Sequence, residues 1–270
     1  MEGTLKRETR QGVTLVGELA GSVRFGFTER TGGMSEPPFT SLNLGGHVGD
    51  DPAAVAENRR RVLAALGVDA PLGALLVPNQ VHGDHVALVD DASPAALARV
   101  RDEIAAGADA IVCSVPGVPV LLCFADCVPV ILTLGDAFAV VHSGWKGTRA
   151  RISAKAARVL AETVGKDIAG IRAWIGPHIR GDEYEVSPEL MADFAATFDA
   201  VRPAAAAGSR LLDLAACIRE ALTEAGVPGG SIRDAGLSTL RDNDRFFSYR
   251  AEHGRCGRHG AVAVITGRAL

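Results

Sequence analysis

Two histidines and one cysteine stand in three separate short segments whose residue types could bind a metal ion. They are His82, Cys127 and His142. Each follows or interrupts an apolar run next to a turn, where a strand is expected to end. Two imidazoles and one thiolate give a tetrahedral zinc ion three protein ligands and leave one position open, as in catalytic zinc sites. The set therefore predicts a catalytic metal site in which Cys127 is a thiolate and both imidazoles are neutral.

Two polar residues next to these ligands are candidates for orienting them. Ligating imidazoles usually donate their second N–H to a carboxylate or carbonyl, which favours Asp126 and Gln80 as partners. An equally good interpretation of Asp126 is a turn residue that accepts hydrogen bonds from local amides.

Zinc is favoured over copper as the metal, although copper stays an alternative occupant. A His₂Cys set also occurs in blue-copper sites, which usually add an axial methionine. The three methionines, Met1, Met34 and Met191, lie outside the metal-ligand segments. Seven histidines are also too few for the coupled cluster of a multicopper oxidase.

Six motifs, in order along the chain, resemble one family. Its members were first described as laccase-domain or polyphenol oxidases and later as zinc-dependent purine nucleoside phosphorylases, and some are named peptidoglycan-editing factors. The motifs are SLNLGGHVGDD at 41–51, QVHG at 80–83, ADC at 125–127, HSGWKG at 142–147, IGP at 175–177 with YEV at 184–186, and FFSYR at 246–250 with GR at 257–258. Three positions depart from the family pattern: Ser143 replaces Ala, Lys146 replaces Arg without its bidentate fork, and His178 replaces Cys.

The resemblance implies phosphorolysis of adenosine, inosine, guanosine and methylthioadenosine, with adenosine deaminase activity. Deamination suits a bound zinc ion, because zinc lowers the pKa of its water for attack on C6 of adenine. On this interpretation the partners are a nucleoside and phosphate. The candidate catalytic residues are Cys127, Asp126 and Arg59. The candidate substrate-binding residues are Asn43, His47, Lys146 and Arg250, with Arg59, Lys146 and Arg250 as the cations around phosphate.

Three other functions compete with this one. Cys127 could pair with His142 or His82 as the nucleophile of a hydrolase or amidase acting in peptidoglycan editing. The protein could instead be a copper-dependent polyphenol oxidase. It could also be a non-enzymatic, zinc-stabilised part of a larger assembly.

Composition excludes several classes of protein. The chain of 270 residues is 47% hydrophobic and 22% charged, which is typical of a soluble globular protein. A net charge of −4 argues against a nucleic-acid-binding face. The most apolar stretch, 118–134, is broken by Pro119, Asp126 and Pro129 and is too short to span a membrane. Residues 1–10 lack the apolar core of a signal peptide, and five cysteines, an odd number, suit a reducing cytoplasm. Nothing in the sequence predicts an oligomeric state.

Alternating helical and apolar strand patterns predict the fold. Helices are expected at 52–66, 148–163, 188–198 and 213–225, and strands at 23–28, 74–77, 85–89, 118–124, 128–134, 137–142, 171–175 and 261–266. Apolar strands alternating with helices indicate a sheet covered on both faces. We therefore predict an α/β (α+β) fold, a single-domain layered sandwich over residues 1–270 with a mixed β-sheet covered by helices. Residues 1–20 are a candidate peripheral segment.

Overall fold

The structure, a computed structural model, describes residues 5–266 and contains two β-sheets. One sheet has five antiparallel strands in the order β1-β2-β3-β11-β6. The other has six strands in the order β10-β9-β7-β8-β5-β4, with parallel pairs at both edges. The strands are β1 Lys6–Arg10, β2 Val13–Glu18, β3 Val23–Thr28, β4 Val86–Val89, β5 Ala110–Cys113, β6 Val120–Phe124, β7 Val128–Leu134, β8 Ala137–Ser143, β9 Arg172–Ile175, β10 Ile232–Asp234 and β11 His259–Ile265.

Seven helices pack against the two sheets within the described residues. They are α1 Pro52–Ala65, α2 Pro94–Ala106, α3 Trp145–Arg149, α4 Ile152–Val164, α5 Pro188–Thr197, α6 Arg202–Ala206 and α7 Leu214–Glu224. The helix α1 packs on the five-stranded sheet, whereas α4, α5 and α7 pack on the six-stranded sheet. A third apolar layer, which includes Phe25, Phe27 and Trp174, fills the gap between the sheets. The predicted single-domain α/β class is confirmed, and the predicted mixed sheet is one of two sheets in the sandwich.

The alternation of side chains along the strands decides which residues meet at one end of the gap between the sheets. In β8, Phe138 and Val140 point into this gap, and His142 continues the same face. In β6, Phe124 points into the gap and lies 5.4 Å from the His142 ring, centroid to centroid. Since β6 and β8 both end here, their last residues open onto a common site.

Three of the predicted helices begin at a residue whose side chain caps the helix. Asp51, Ser187 and Asp213 each accept a backbone N–H from the first turn of α1, α5 and α7 respectively. Capping satisfies amides that have no partner within the helix.

The expected helix at 148–163 is instead two helices. Arg151 has a φ of +60° and separates α3 from α4. This left-handed residue changes the direction of the chain, so that α4 can lie against β8 and β5.

The expected strand at 74–77 is not formed. A single turn of 3₁₀ helix spans Leu72–Ala74, and Leu76 makes only one isolated bridge, to Val120. Leu76 is buried all the same, which explains the strand-like apolar pattern.

The first twenty residues contain two strands that were not predicted. The first, β1, is a mostly exposed edge strand, but Val13 and Leu15 in β2 are fully buried against the sheet. The described part of this segment thus belongs to the core sheet instead of lying peripherally. None of the helices within residues 5–266 combines the length and apolar character needed to cross a bilayer.

Candidate metal site and substrate pocket

The side chains of His82, Cys127 and His142 converge at the end of the gap between the sheets. Their ligand atoms all lie within 4.8 Å of one another, and residues 5–266 hold no other such group of three His, Cys, Asp or Glu donors. The two imidazole rings meet edge to face with centroids 4.8 Å apart. Three residues that are up to 60 positions apart in sequence are thereby brought together, as predicted.

Each donor is held by a different piece of backbone. His142 lies on β8, and Cys127 lies in the crossover between β6 and β7, which belong to different sheets. His82 and Asp126 have φ values of +58° and +88°, in the left-handed region that non-glycine residues seldom adopt. Such backbone strain is common at functional sites, where the surrounding structure compensates for it.

A buried carboxylate, Asp109, joins two of the three donor segments. Its Oδ1 lies 2.7 Å from Nδ1 of His142. The same carboxylate accepts backbone N–H groups from Val81, His82 and Gly83 at 3.2, 3.0 and 2.7 Å. Asp109 therefore fixes the ring of His142 and shapes the loop that carries His82.

The charges in this group favour an ionised thiol. Burial disfavours the Cys127 thiolate, but the charge of His142 and hydrogen bonds from His142 and His82 outweigh it and lower the pKa of Cys127. Burial likewise disfavours a charged His142, but the Cys127 thiolate and Asp109 together raise the pKa of that imidazole. The carboxylate pKa of Asp109 is lowered despite burial, chiefly by His142.

These residues fit a transition-metal ion. Because Asp109 binds Nδ1 of His142, the Nε2 atom is left to face Cys127 and His82. A carboxylate on the far nitrogen of an imidazole is the usual arrangement behind a ligating histidine. The sulfur and two nitrogens match the donors that zinc and copper prefer.

Asp126 and Gln80, the expected hydrogen-bond partners of the imidazoles, bond to other groups instead. Asp126 accepts hydrogen bonds from the Thr239 hydroxyl at 2.6 Å and from the Arg250 amide at 2.7 Å. The amide of Gln80 exchanges two 2.8 Å hydrogen bonds with the backbone of Cys123. Asp126 is thus the amide-accepting turn residue of the alternative interpretation, and Asp109 holds the position that we predicted for Asp126 or Gln80.

A pocket of about 510 Å³ opens over the three donors. Its lining combines the donors with aromatic and cationic side chains, namely Trp145, Tyr184, Tyr249, His47, Arg250 and Arg258. Trp145 and Tyr249 are among the few large apolar side chains that are exposed in the described chain. Aromatic faces beside a few polar groups are typical of pockets for small organic ligands.

The structure separates the predicted substrate residues into two groups. His47 and Arg250 line the pocket, whereas Asn43, Arg59 and Lys146 do not. Asn43 is fully buried and bonds to the backbone of Gly45 and Arg258. Arg59 donates twice to the carbonyl of Leu44, and the Lys146 ammonium lies over the Trp145 ring, 5.5 Å from its centroid.

Several lining residues had no role assigned from the sequence. Tyr184, Tyr249 and Arg258 belong to quoted motifs, and their place in those motifs was the only available signal. Asp109, which is not a lining residue but supports the donors from behind, belongs to none of these motifs, and the sequence signal for it was weaker. It comes two residues before Ile111, whose side chain lies in the gap between the sheets, so strand alternation places the two on one face.

His178, the departure from the family pattern, lies behind the pocket wall. It is buried, its Nδ1 lies 2.7 Å from the Gly176 carbonyl, and burial lowers its pKa. The next residue, Ile179, lines the pocket and donates its amide to the carbonyl of Asp126. His178 is therefore connected to the site through the backbone of this segment and through Thr239, whose amide donates to the His178 carbonyl and whose hydroxyl donates to Asp126.

Comparison with known proteins places the chain among relatives of similar length. Residues 24–266 match the sequence profile of the family described as multi-copper polyphenol oxidoreductase laccase. A purine nucleoside phosphorylase of Mycobacterium tuberculosis is 38% identical over 78% of this chain and 81% of its own. A purine nucleoside phosphorylase of Streptomyces coelicolor is 37% identical over 87% of this chain and 93% of its own.

Solved structures share the fold over nearly the whole chain. The hypothetical protein YfiH of Bacillus licheniformis superposes with a TM-score of 0.84 and 32% identity, covering 95% of this chain and 97% of its own. YlmD of Geobacillus stearothermophilus gives a TM-score of 0.81 and 29% identity, covering 97% and 99%.

Proposed function

The chain belongs to the family described as multi-copper polyphenol oxidoreductase laccase, and we propose that it is a zinc-dependent purine nucleoside phosphorylase. The observation that carries this proposal is the three-donor cluster in the floor of an aromatic and cationic pocket. The pocket volume of about 510 Å³ is in the range that takes a small organic ligand. The relatives named purine nucleoside phosphorylase support the choice of substrate.

Zinc is the metal that suits these donors best. His82, Cys127 and His142 would hold it, and three protein ligands leave a position for a substrate or water. When bound, zinc supplies Lewis-acid chemistry and lowers the pKa of a bound water. A blue-copper site usually adds an axial methionine. Met34 is exposed and Met191 is packed in the core under the helices, so neither described methionine lines the pocket.

The pocket residues would bind the two substrates of phosphorolysis side by side. Tyr184, Tyr249 and Trp145 offer aromatic faces for the purine, and stacking on such faces is worth about 1–3 kcal/mol per base. In the reaction a phosphate oxygen bonds to C1′ of the ribose as the N-glycosidic bond breaks. The bonding electrons leave with the purine, which takes up a proton, and the products are free base and ribose 1-phosphate.

The predicted catalytic residues act in different ways in this proposal. Cys127 acts as a metal ligand. Asp126 holds the backbone of Arg250 and the hydroxyl of Thr239, and so positions the loop that carries Arg250 and Tyr249. Arg59 contributes positive charge from behind the Leu44 carbonyl.

Adenosine, inosine, guanosine and methylthioadenosine are the proposed substrates, with deamination of adenosine as a second reaction. The two reactions differ in what attacks the substrate. Deamination consumes water and releases ammonia, whereas phosphorolysis consumes inorganic phosphate.

Product analysis with adenosine tests this proposal. Without phosphate we expect slow formation of inosine and no free adenine. With phosphate we expect free adenine, some hypoxanthine from deaminated substrate, and ribose 1-phosphate equal to the sum of the two free bases. Absence of adenine at any phosphate concentration, together with oxidation of a phenol by the copper-loaded protein, would instead favour a polyphenol oxidase.

The chain of contacts from Asp109 through His142 to Cys127 favours a second candidate, a cysteine hydrolase. A carboxylate that orients an imidazole beside a thiol is also the arrangement of a cysteine nucleophile and its base. Alkylation of Cys127 by iodoacetamide in the protein as purified, with unchanged phosphorolysis, would favour a separate hydrolytic role. Protection of Cys127 by stoichiometric metal favours the metal site.

A further inference from the structure

Two arginines and one histidine gather at one side of the pocket around the loop of residues 43–47. Arg59 donates to the carbonyl of Leu44 through Nε at 3.0 Å and Nη2 at 2.8 Å. Arg258 donates its backbone N–H to the side-chain oxygen of Asn43 at 2.8 Å. The loop thus lies between the two arginines and carries His47 at its end.

Close packing fixes the position of Arg258. A Cβ atom at Gly45 would lie 2.8 Å from Cγ of Arg258, so the absence of a side chain lets the arginine stem pack on the loop. The guanidinium lies over the Tyr249 ring, 5.8 Å from its centroid, and its Nη1 donates to the carbonyls of Cys256 and Gly257. The stem and one nitrogen are held, while the group as a whole lines the pocket.

This positive charge has no carboxylate partner. Within residues 5–266, neither Arg59 nor Arg258 forms an ion pair, whereas the half-buried Arg30, Arg180 and Arg245 each pair with an acidic residue. Asp50, an acidic residue of the adjoining segment, is bonded to the Asn43 amide and its own neighbour's backbone. Partly buried positive charge without a partner attracts an anion, and more strongly so in a pocket shielded from water.

The same cluster borders the metal site. His47 follows Gly46, where a Cβ atom would lie 3.6 Å from Nη2 of Arg59, so the guanidinium of Arg59 packs beside the backbone next to His47. Both His47 and Arg258 line the pocket together with the metal donors. Arg250 belongs to a different part of the wall, where its guanidinium lies over the Tyr184 ring.

We propose that Arg258, supported by His47 and by the charge of Arg59, forms the subsite for inorganic phosphate. The assignment rests on the proposed phosphorolysis. It replaces Lys146 and Arg250, which the sequence suggested as phosphate-binding cations, with Arg258. Arg258 supplies charged N–H donors to the phosphate oxygens, and His47 supplies a further ring nitrogen between the phosphate and the metal site. The nucleoside then occupies the aromatic part of the pocket, with its ribose facing both the phosphate subsite and the metal site.

The test compares Arg258→Gln and Arg258→Lys with Arg255→Gln, a matched control on an exposed residue of the same segment. Two quantities are measured in each metal-loaded protein: binding of radiolabelled inorganic phosphate, and the KM for phosphate with adenosine saturating. Loss of a charged hydrogen-bond donor predicts a phosphate affinity weaker by roughly ten- to a hundred-fold in Arg258→Gln. We expect partial recovery in Arg258→Lys, wild-type values in Arg255→Gln, and unchanged metal content throughout.

The possible outcomes distinguish failure of the phosphate subsite from failure of the proposed phosphorylase activity. Phosphorolysis with an unchanged phosphate KM in Arg258→Gln would overturn the subsite and leave the phosphorylase intact. Phosphate binding that depends on Arg258 in a protein without phosphorolysis would support the anion subsite and refute the phosphorylase. An equal loss of metal from Arg258→Gln and Arg258→Lys would show a purely structural role and overturn the assignment.

Discussion

At the scale of single residues, Asp109 links the metal donors to the loop that carries one of them. Asp109→Asn keeps the shape of the side chain but removes the negative charge next to His142. Loss of such an outer partner typically weakens metal binding by about 10- to 100-fold. We therefore expect weaker zinc binding in this variant, measured by competition with a chelator of known affinity.

The matched control for that prediction is Asp126→Asn. Asp126 neighbours the ligand Cys127 but bonds to Thr239 and the Arg250 amide. Zinc affinity should stay near the wild-type value, while the KM for nucleoside rises because the Arg250 loop is released. Equal zinc affinities in the Asp109 and Asp126 variants would contradict the role assigned to Asp109.

Single residues were predictable from sequence where their chemical type is unusual. Histidine and cysteine beside turns marked the three donors, because few other residues bind soft metals. An aspartate is common in loops, and Asp109 lies 33 positions before His142, so no local pattern joined them. Charge alone could not separate Arg59 and Lys146, which do not line the pocket, from Arg258, which does.

At the scale of structural elements, the start of α3 is packed directly against the metal donors. A Cβ atom at Gly144 would lie 3.0 Å from Cδ2 of His82 and 3.2 Å from Sγ of Cys127. The φ of Gly144 is −72°, so an alanine is compatible with the backbone and acts only through its methyl group. Gly144→Ala should therefore push the ligands apart and weaken metal binding, with a Tm close to that of the wild type.

Gly73→Ala is the control for this effect of a methyl group. No atom lies within 4 Å of the Cβ that it would add. Its metal affinity, measured by isothermal titration calorimetry, should match the wild type. A Gly144→Ala protein that binds zinc as tightly as Gly73→Ala would show that α3 does not constrain the site.

Elements were predictable where a cap or a long apolar run marks them. The capped helices α1, α5 and α7 and the apolar strands β7 and β8 carry such marks. The helix α2 was missed because charged residues interrupt its three buried positions, Ala96, Val100 and Ile104. The four-residue strand β5 was also missed. The strands β6 and β7 enter different sheets, which depends on tertiary packing and not on the local pattern of either strand.

At the scale of the whole molecule, one neutral histidine is completely buried within the sandwich. His259 is fully buried at the end of β11, with ring centroids of Phe124 and Phe246 6.3 and 5.5 Å away. The carbonyls of Pro177 and Phe247 lie nearby, but neither ring nitrogen makes a well-formed hydrogen bond. Burial lowers the pKa of His259 from 6.5 to about 3.

This histidine makes the folded protein sensitive to acid. Between pH 6.5 and about pH 3, the unfolded chain binds a proton on His259 that the folded chain does not bind. The free energy of unfolding therefore decreases as the pH falls through this range. At about 1.4 kcal/mol per pKa unit, the effect is on the order of a few kcal/mol. Urea unfolding at several pH values should show a steeper acid loss in the wild type than in His259→Phe.

Buried carboxylates such as Glu29 and Asp109 have lowered pKa values, so they too make the protein less stable as the pH falls. Because they are present in both proteins, the difference between the wild type and His259→Phe isolates the contribution of His259. The exposed His253→Asn variant serves as the control and should follow the wild type. Parallel pH profiles for His259→Phe and the wild type would refute the prediction.

A metal titration of activity is the most direct test of a single catalytic metal site in this protein. The apo protein is titrated with zinc while adenine release from adenosine is followed at saturating phosphate. We expect activity to rise in proportion to zinc and to saturate at one ion per chain, and we expect Cys127→Ala to stay inactive at the same zinc concentrations. Full phosphorolysis in metal-free protein, or saturation only at several copper ions per chain, would contradict a single metal site of His82, Cys127 and His142.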